Sequence, residues 1–204
     1  MRKPYVALSV SVVVVSFAAI FVLFCDAPPL TIAFYRLFFT TLLILPFVLL
    51  RKKTRLELFN IPRSTLLSMA IIGFILAAHF ALWITSLTKT SVASSVILVT
   101  AHPILVGPLS YYFLKEKLSK INAIGIALSV AGVITLVLGN YGLSSFTLDS
   151  LEGNILAMLG GVAAGLYILG GRKVRKSVSI FSYALVVYAA VSYTHLTLPT
   201  TPYV

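Results

Sequence analysis

The sequence is poor in charged residues, and acidic residues are the scarcest of them. Only 10% of its 204 residues are charged, against about 25% in a typical soluble domain, and this excludes a water-soluble globular fold. Five acidic residues are outnumbered by sixteen lysines and arginines, so the formal net charge is +11. In a soluble protein this charge favours nucleic-acid binding. Here the bases stand in short clusters beside apolar runs, where they set membrane topology, so we expect no nucleic-acid partner.

Cysteine and the common catalytic motifs are also scarce or missing. Cys25 is the single cysteine, so no internal disulfide can form and the redox compartment is not indicated. The sequence contains no GxSxG nucleophile motif, no HExxH zinc pair and no P-loop. Asp26, Asp149 and Glu152 lie between apolar runs or at a helix end, so they form no carboxylate pair within a span. We expect no enzyme, no cofactor and no metal; an intramembrane enzyme is the alternative.

Long apolar runs are abundant instead, and 59% of the residues are hydrophobic. A helix needs about 20 apolar residues to cross the hydrocarbon core. Runs of this length without period-two alternation indicate helices, because only helices and closed barrels satisfy their backbone groups in lipid. The candidate spans are residues 4–24, 29–50, 66–87, 90–114, 121–139 and 153–171. We therefore predict an all-α polytopic transmembrane helix bundle.

The lysines and arginines alternate from gap to gap along these spans. Fourteen of the sixteen fall in every second gap, whereas Lys89 lies in an intervening gap and Arg36 lies within a span. By the positive-inside rule, this places the N-terminus in the cytoplasm. The pattern predicts a multi-pass protein of the cell membrane (plasma or inner membrane), surrounded by the lipid bilayer. The basic clusters 51–55 and 172–176 are then topology anchors.

A seventh span begins near Ser177 but changes character after fourteen residues. Its continuation is threonine-rich and contains Pro199 and Pro202. Proline costs about 3 kcal/mol in a helix interior, so we do not expect the span to run on. Residues 191–200, VSYTHLTLPT, look like the translation of ten consecutive codons of a transposon-end adapter used in sequencing libraries. We therefore interpret residues 191–204 as an artefact and expect the natural chain to continue past Ala190.

The stretch 78–139 has the most specific pattern. An Ala-Leu pair closes the third span, a Ser/Ala-rich start and a mid-span proline follow in the fourth, and an acidic turn leads into a glycine-studded fifth. These features are Ala81 and Leu82, residues 91–95, Pro103, residues 114–119, and Gly125 with Gly132. Together with Arg36 in the second span, this pattern resembles the EamA family of the drug/metabolite transporter superfamily.

The resemblance implies a secondary transporter that moves a small metabolite or drug-like solute by alternating access. It also implies two inverted five-helix repeats. The first repeat would occupy residues 1–139, an outer loop 140–152, and the start of a truncated second repeat 153–190. A non-transporting membrane fragment and an intramembrane enzyme are the alternatives. If the truncation is genuine, a homodimer is a further possibility.

Three ionisable side chains lie within the predicted spans, where such residues are expensive and by default functional. They are Arg36, His79 and His102, and each falls between the outer surface and the midplane. Trp83 follows His79 by one turn on the same helix face. We expect these four residues to bind substrate in an outward-facing cavity, with Arg36 on an anionic group and Trp83 stacked on it. A histidine that titrates near its ordinary pKa of about 6.5 would couple transport to protons.

Structural interpretations of the same residues stay open. Arg36 is long enough to snorkel to the outer head groups, and each histidine is able to hydrogen-bond a neighbouring helix. Pro103 and Pro108 remove backbone donors, which predicts either a gating kink in the fourth span or a static one.

The remaining candidates are interpreted structurally. Glu116 is expected to shape the turn after the fourth span. Gly125 and Gly132 in the fifth span, and the GxxxG pair Gly161 and Gly165 in the sixth, are expected to allow close helix packing.

Overall fold

A computed structural model describes residues 3–115, 118–141 and 148–197, and nearly all of these residues are helical. They form ten helices: Lys3–Ser16 (α1), Ala18–Leu23 (α2), Pro29–Leu50 (α3), Lys52–Phe59 (α4), Arg63–Ser86 (α5), Val92–Thr100 (α6), Pro103–Leu114 (α7), Lys120–Tyr141 (α8), Leu148–Val174 (α9) and Ile180–Thr197 (α10). No strand occurs among the described residues. The predicted all-α helix bundle is confirmed.

Six helical segments within the described ranges are long and apolar enough to cross a membrane. They are Tyr5–Leu23, Pro29–Leu50, Arg63–Ser86, Val92–Phe113, Ser150–Val174 and Ile180–Thr197. α1 and α2 together make the first segment, and α6 and α7 together make the fourth. α8 contributes a shorter apolar stretch, Lys120–Thr135. The chain is therefore a multi-pass membrane protein, and its surroundings are a lipid bilayer. Its division into two inverted repeats stays a prediction.

The two ends of the bundle are held by different acidic residues. At one end, the Lys89 ammonium donates to the Glu152 carboxylate at 2.8 Å and links the turn after α5 to α9. At the other end, Glu57 on α4 accepts a hydrogen bond from the backbone N–H of Ser179, just before α10. We call this second end the basic end, because the clusters 51–55 and 172–176 belong to its connections.

Helices α5 and α9 form the most extensive pair in the bundle. α10 packs on α3 and α5, and α6 packs on α9. Gly161 permits the α6–α9 contact, because a Cβ there would lie 3.0 Å from the carbonyl oxygen of Val99. A Cβ at Gly165 would lie 3.2 Å from the Val106 side chain. Small residues at such positions let helix backbones approach closely.

Gly125 and Gly132 differ from what the sequence predicts. A Cβ built at either residue meets no atom within 4 Å, so neither glycine lies in a close helix contact in the described part of the chain. The physical reason is that α8 has few close neighbours: its main contacts are with α7 and α6, and those are sparse. Their seven-residue spacing marks one face of α8, but no helix packs tightly on that face here.

Two other features depart from the sequence-based expectation, and one agrees with it. The basic gap after α3 contains a short helix, α4, instead of a simple anchor. The fourth span is divided by a turn at Ala101 and His102, immediately before Pro103, where the sequence predicts a kink. α10 runs on to Thr197, so the prediction that this span stops near Ala190 was wrong. The hydroxyl of Thr194 donates to the carbonyl of Ala190 at 2.8 Å, which makes threonine compatible with the helix.

Candidate functional site

A cavity of about 410 Å³ lies inside the bundle, and we call it the central cavity. Its walls come from α1, α2, α3, α5, α6, α9, α10 and the turn between α6 and α7. The lining residues are Val15, Ala18, Arg36, Leu37, Thr40, Leu76, His79, Phe80, Trp83, Val99, Thr100, His102, Ala164, Tyr167, Ile168 and Tyr188. All four substrate-binding candidates from the sequence are among them. Whether they bind a substrate stays a proposal.

Arg36 projects from the second turn of α3 into an aromatic corner of the central cavity. Its guanidinium carbon lies 5.2 Å from the ring centre of Phe80 and 5.4 Å from that of Trp83. Cation–π contacts of this kind stabilise a cation by about 0.5–2 kcal/mol. They do not satisfy its N–H groups, and Nη1 is buried without a hydrogen-bond partner. Arg36 thus lies against rings within the bundle, which differs from the extended snorkelling arrangement.

Trp83 supplies a second donor on the same wall. Its side chain is buried, and its indole Nε1 has no hydrogen-bond partner. Among the described residues that line the central cavity, none is acidic. The lining of the cavity therefore includes one guanidinium and one indole, and none of its described residues offers a carboxylate to pair with the charge.

His79 is fixed in place by contacts on both sides of its ring. Its Nδ1 lies 2.9 Å from the carbonyl oxygen of Gly160 on α9. A carbonyl oxygen only accepts, so Nδ1 carries the hydrogen, and Nε2 is an acceptor when the ring is neutral. The ring stacks on Trp83 with centres 6.0 Å apart and planes 11° apart. His79 therefore makes the hydrogen bond to a neighbouring helix that its structural interpretation describes, while its ring also lines the cavity.

His102 sits at the break in the fourth span, and its ring completes the backbone there. Pro103 has no N–H to donate to the carbonyl of Val99, which would receive that bond in a regular helix. His102 Nδ1 lies 3.2 Å from the same carbonyl oxygen and takes the place of the missing donor. The break is thus supported locally, and His102 has a structural task besides its position on the cavity wall. Pro108 lies within α7, where it also lacks an N–H.

Tyr167, Tyr188 and Phe80 line the central cavity but were not singled out in the sequence. The available signal for the two tyrosines was weak: a tyrosine within an apolar span carries a polar group that needs a partner or water. Tyr188 also lies on the last span, which the sequence predicts to be incomplete because of its threonine-rich continuation. Phe80 adjoins His79 and resembles any other apolar residue of α5.

A second polar site at the basic end was also missed. The Glu57 carboxylate on α4 accepts from the backbone N–H of Ser179 at 2.8 Å, from the Ser179 hydroxyl, and from the Ser182 hydroxyl at 2.8 Å. Burial raises the pKa of Glu57. The hydrogen bonds from the two serines and the nearby charge of Lys53 outweigh it, so the pKa lies below the ordinary glutamate value. A carboxylate at a helix N-terminus also interacts favourably with the helix dipole.

The other predicted residues lie apart from the central cavity. Pro103 and Gly125 line a separate groove between α7 and α8, and Gly161 lies at the α6–α9 contact. Glu116 falls outside the described residues. Within the described ranges, no group of three histidine, cysteine or carboxylate side chains is placed to hold a metal ion.

Residues 3–138 match the EamA-like transporter family. The uncharacterized transporter YetK of Bacillus subtilis (strain 168) is 36% identical over 80 residues, which cover 39% of this chain and 24% of that protein. The match thus spans about a quarter of the length of the curated relative. No solved structure matches the chain.

Proposed function

The chain belongs to the EamA-like transporter family, and from this premise we propose that it is a secondary transporter for small organic solutes that carry an anionic group. The observation that supports this proposal is a pair of unpartnered donors, Arg36 Nη1 and Trp83 Nε1, on two residues that line the central cavity. Both are buried beside an internal space, and no acidic residue among the described lining neutralises the arginine.

The energetics favour an anion as the ligand. An arginine taken out of water without a partner is costly, and such groups in membrane spans are retained for function. A carboxylate would accept two parallel hydrogen bonds from the planar guanidinium. The guanidinium carbon is 5.4 Å from the Trp83 ring centre, so the indole face adjoins the place where that carboxylate would bind.

The size and apolar walls of the cavity narrow the solute class further. Ligand sites commonly have volumes of about 300–1,000 Å³, and the central cavity, at about 410 Å³, is at the small end of this range. Beside the donors, its walls carry Leu37, Leu76 and Val99. A small carboxylate with an apolar or aromatic portion, of amino-acid size, fits this combination.

Alternating access is proposed from the broken helix in the fourth span. Interrupted helices beside a midplane site are a recurrent feature of secondary transporters. The turn at Ala101 and His102 separates α6 from α7, and Pro103 prevents a continuous helical ladder from forming across it. His102 lines the central cavity at this turn, so a change in the angle between α6 and α7 would move a cavity wall.

Binding is testable directly, because Trp83 is the only tryptophan of the chain. Purified protein is titrated with small carboxylates and with their amides, and Trp83 fluorescence is recorded. We expect saturable changes for carboxylates only. Arg36→Gln should weaken binding by about 10- to 100-fold, since a hydrogen bond to a charged group is lost. Arg36→Lys should bind with an affinity between those of the wild type and Arg36→Gln, because lysine keeps the charge and loses the planar pair of N–H donors. Arg63→Gln, an exposed arginine at the start of α5, is the matched control.

Transport is then measured in vesicles with the carboxylate that binds. A carrier moves the compound without changing it, so the mass recovered from the lumen should equal the mass supplied. A new mass would support the intramembrane enzyme instead. Equal binding of carboxylate and amide, or full binding by Arg36→Gln, would refute the anion-carrier proposal.

Proton coupling is proposed through one of the two histidines, because each lines the cavity and is hydrogen-bonded through Nδ1 only. The other titratable groups on the same lining are Arg36, Tyr167 and Tyr188. We expect His79→Gln or His102→Gln to remove the pH dependence of uptake. Unchanged pH profiles in both variants would contradict the proposal.

A further inference from the structure

A second cavity, of about 490 Å³, lies between the last turns of α9 and the first turns of α10. We call it the basic-end cavity, because Arg172, Arg175 and Lys176 line it. It shares Tyr167, Ile168 and Tyr188 with the central cavity. The two cavities therefore adjoin at these side chains.

The shared wall follows one face of each helix. On α9, Ala164 lines the central cavity alone, Tyr167 and Ile168 line both cavities, and Gly171 lines the basic-end cavity alone. Positions three, four and seven residues apart share a helix face, and seven residues span about 10 Å along the axis. The face of α9 thus leads without interruption from the central cavity to the basic end.

α10 repeats this arrangement on the opposite wall. Tyr183 and Ala184 line the basic-end cavity, and Tyr188 lines both. Tyr183 is 4% exposed, and its hydroxyl is buried without a hydrogen-bond partner. A Cβ at Gly171 would lie 2.6 Å from that hydroxyl oxygen, so the glycine makes room for the tyrosine. Aromatic residues from both helices thus line the region where the two cavities adjoin.

We propose that the basic-end cavity is the vestibule of the solute pathway, that Tyr167 and Tyr188 form the closed gate between it and the central cavity, and that Arg175 and Lys176 attract anionic solutes into it. The proposal rests on the proposed function, because it extends the same pathway toward the basic end. Both bases are exposed, and none of the described lining residues of this cavity is acidic. Clefts lined by one sign of charge raise the local concentration of the opposite ion.

The gate is tested by cysteine accessibility in membrane vesicles, in a Cys25→Ser background that removes the one exposed thiol. Thr40→Cys places a thiol on the central cavity, and Ala184→Cys places one on the basic-end cavity. Membrane-impermeant thiol reagents are applied from the basic end. We expect Ala184→Cys to react readily, and Thr40→Cys to react about tenfold more slowly or less.

Opening the gate should expose the central cavity. Adding Tyr167→Ala and Tyr188→Ala should raise the reaction of Thr40→Cys from the basic end by about tenfold or more. Tyr193→Ala, on a tyrosine that is 69% exposed, is the matched control and should change nothing. Phenylalanine at both gate positions keeps the rings and should keep the gate closed. An unchanged far-ultraviolet circular dichroism spectrum reports that each variant is folded. The gate is refuted if Thr40→Cys reacts as fast as Ala184→Cys while both tyrosines are present. It is also refuted if the folded single variants Tyr167→Ala and Tyr188→Ala both leave the reaction rate of Thr40→Cys unchanged.

The charge preference of the vestibule is tested with a matched pair of thiol reagents, one sulfonate-bearing and one trimethylammonium-bearing. Ala184→Cys should react about tenfold faster with the anionic reagent, and added salt should reduce the difference. Arg175→Gln with Lys176→Gln should abolish the preference, whereas Lys52→Gln with Lys53→Gln should leave it. Equal reaction rates of Ala184→Cys with the two reagents, while Arg175 and Lys176 are both present, would overturn the proposal.

Anionic lipid head groups are the competing source of negative charge at this site. The measurement is therefore made in vesicles of phosphatidylcholine alone and again with phosphatidylglycerol added. A preference that persists in both supports a solute vestibule, and one abolished by phosphatidylglycerol assigns the bases to lipid. None of these measurements uses the transported solute. The binding test of the proposed function and the tests of the gate and vestibule can therefore give opposite results, and each failure is recognised separately.

Discussion

The Glu57 site at the basic end makes a quantitative prediction about how α4 holds α10. Glu57→Ala removes a carboxylate that accepts two hydrogen bonds from Ser179 and one from Ser182. A net hydrogen bond to a charged group contributes about 1.5–3 kcal/mol when buried. Glu57 is half-buried, and water replaces part of the interaction, so we take about 1 kcal/mol for each bond. The expected loss of unfolding free energy is about 2–3 kcal/mol.

Two further variants separate charge from hydrogen bonding. Glu57→Gln keeps an acceptor oxygen and loses the charge beside the N-terminus of α10, an interaction of about 0.3–1 kcal/mol, so about 1 kcal/mol should be lost. Glu152→Ala is the matched control. That carboxylate pairs with Lys89 at 2.8 Å, with the two side chains 53% and 34% exposed, and exposed pairs contribute about 0–1 kcal/mol.

The assay is unfolding of the purified protein in mixed micelles with increasing dodecyl sulfate, followed through Trp83 fluorescence. Because the pKa of Glu57 is lowered in the folded state, its stabilisation is fully present above the unfolded-state pKa of about 4.3. It is lost as the pH falls through the lower folded-state pKa. The difference between wild type and Glu57→Ala should therefore shrink in acid. A Glu57→Ala effect no larger than that of Glu152→Ala, or one that is constant with pH, would refute this reasoning.

Two other predictions use the same assay. Gly153→Ala should lower the unfolding free energy by about 1–3 kcal/mol, because a Cβ there would lie 2.8 Å from the backbone of Lys89. Gly125→Ala should stabilise α8 by up to about 1 kcal/mol, because its Cβ would meet no atom within 4 Å. Equal effects of the two substitutions would contradict the packing described above. His195→Leu should stabilise by about 1–3 kcal/mol, because His195 is 1% exposed and neither ring nitrogen has a partner; no gain would show that this segment is not packed in solution.

The spans were predictable because lipid leaves a long apolar segment few alternatives to a helix. The second span, predicted at residues 29–50, coincides with α3, Pro29–Leu50. The helix α4 was not predictable in the same way. Its residues, KKTRLELF, have no long apolar run, and part of its support is Glu57 bonded to Ser179, a residue 122 positions away. A contact that distant leaves no local signal.

The central cavity was predictable in its ionisable residues and not in its shape. Arg36, His79 and His102 stand out in the sequence because charge and polarity are costly within a span. Pro103 likewise indicated a free carbonyl at Val99, but only the structure shows that the His102 ring occupies it. The positions of the tyrosines that line both cavities depend on how α9 and α10 are rotated against each other, and helix packing sets this rotation.

Unpartnered buried donors do not all have the same meaning, and their surroundings tell them apart. Arg36 and Trp83 line a shared cavity, and Arg36 lies against aromatic rings that stabilise a cation. His195 lines neither the central cavity nor the basic-end cavity, and both of its ring nitrogens are buried without partners. Native proteins rarely retain such a residue without a function. The interpretation of residues 191–204 as an artefact stays a prediction, since Val191 of the same segment is buried in the hydrophobic core. Genomic DNA sequenced across the codon for Ala190 tests it directly: adapter-like codons present there would refute it, and further apolar codons in their place would support it.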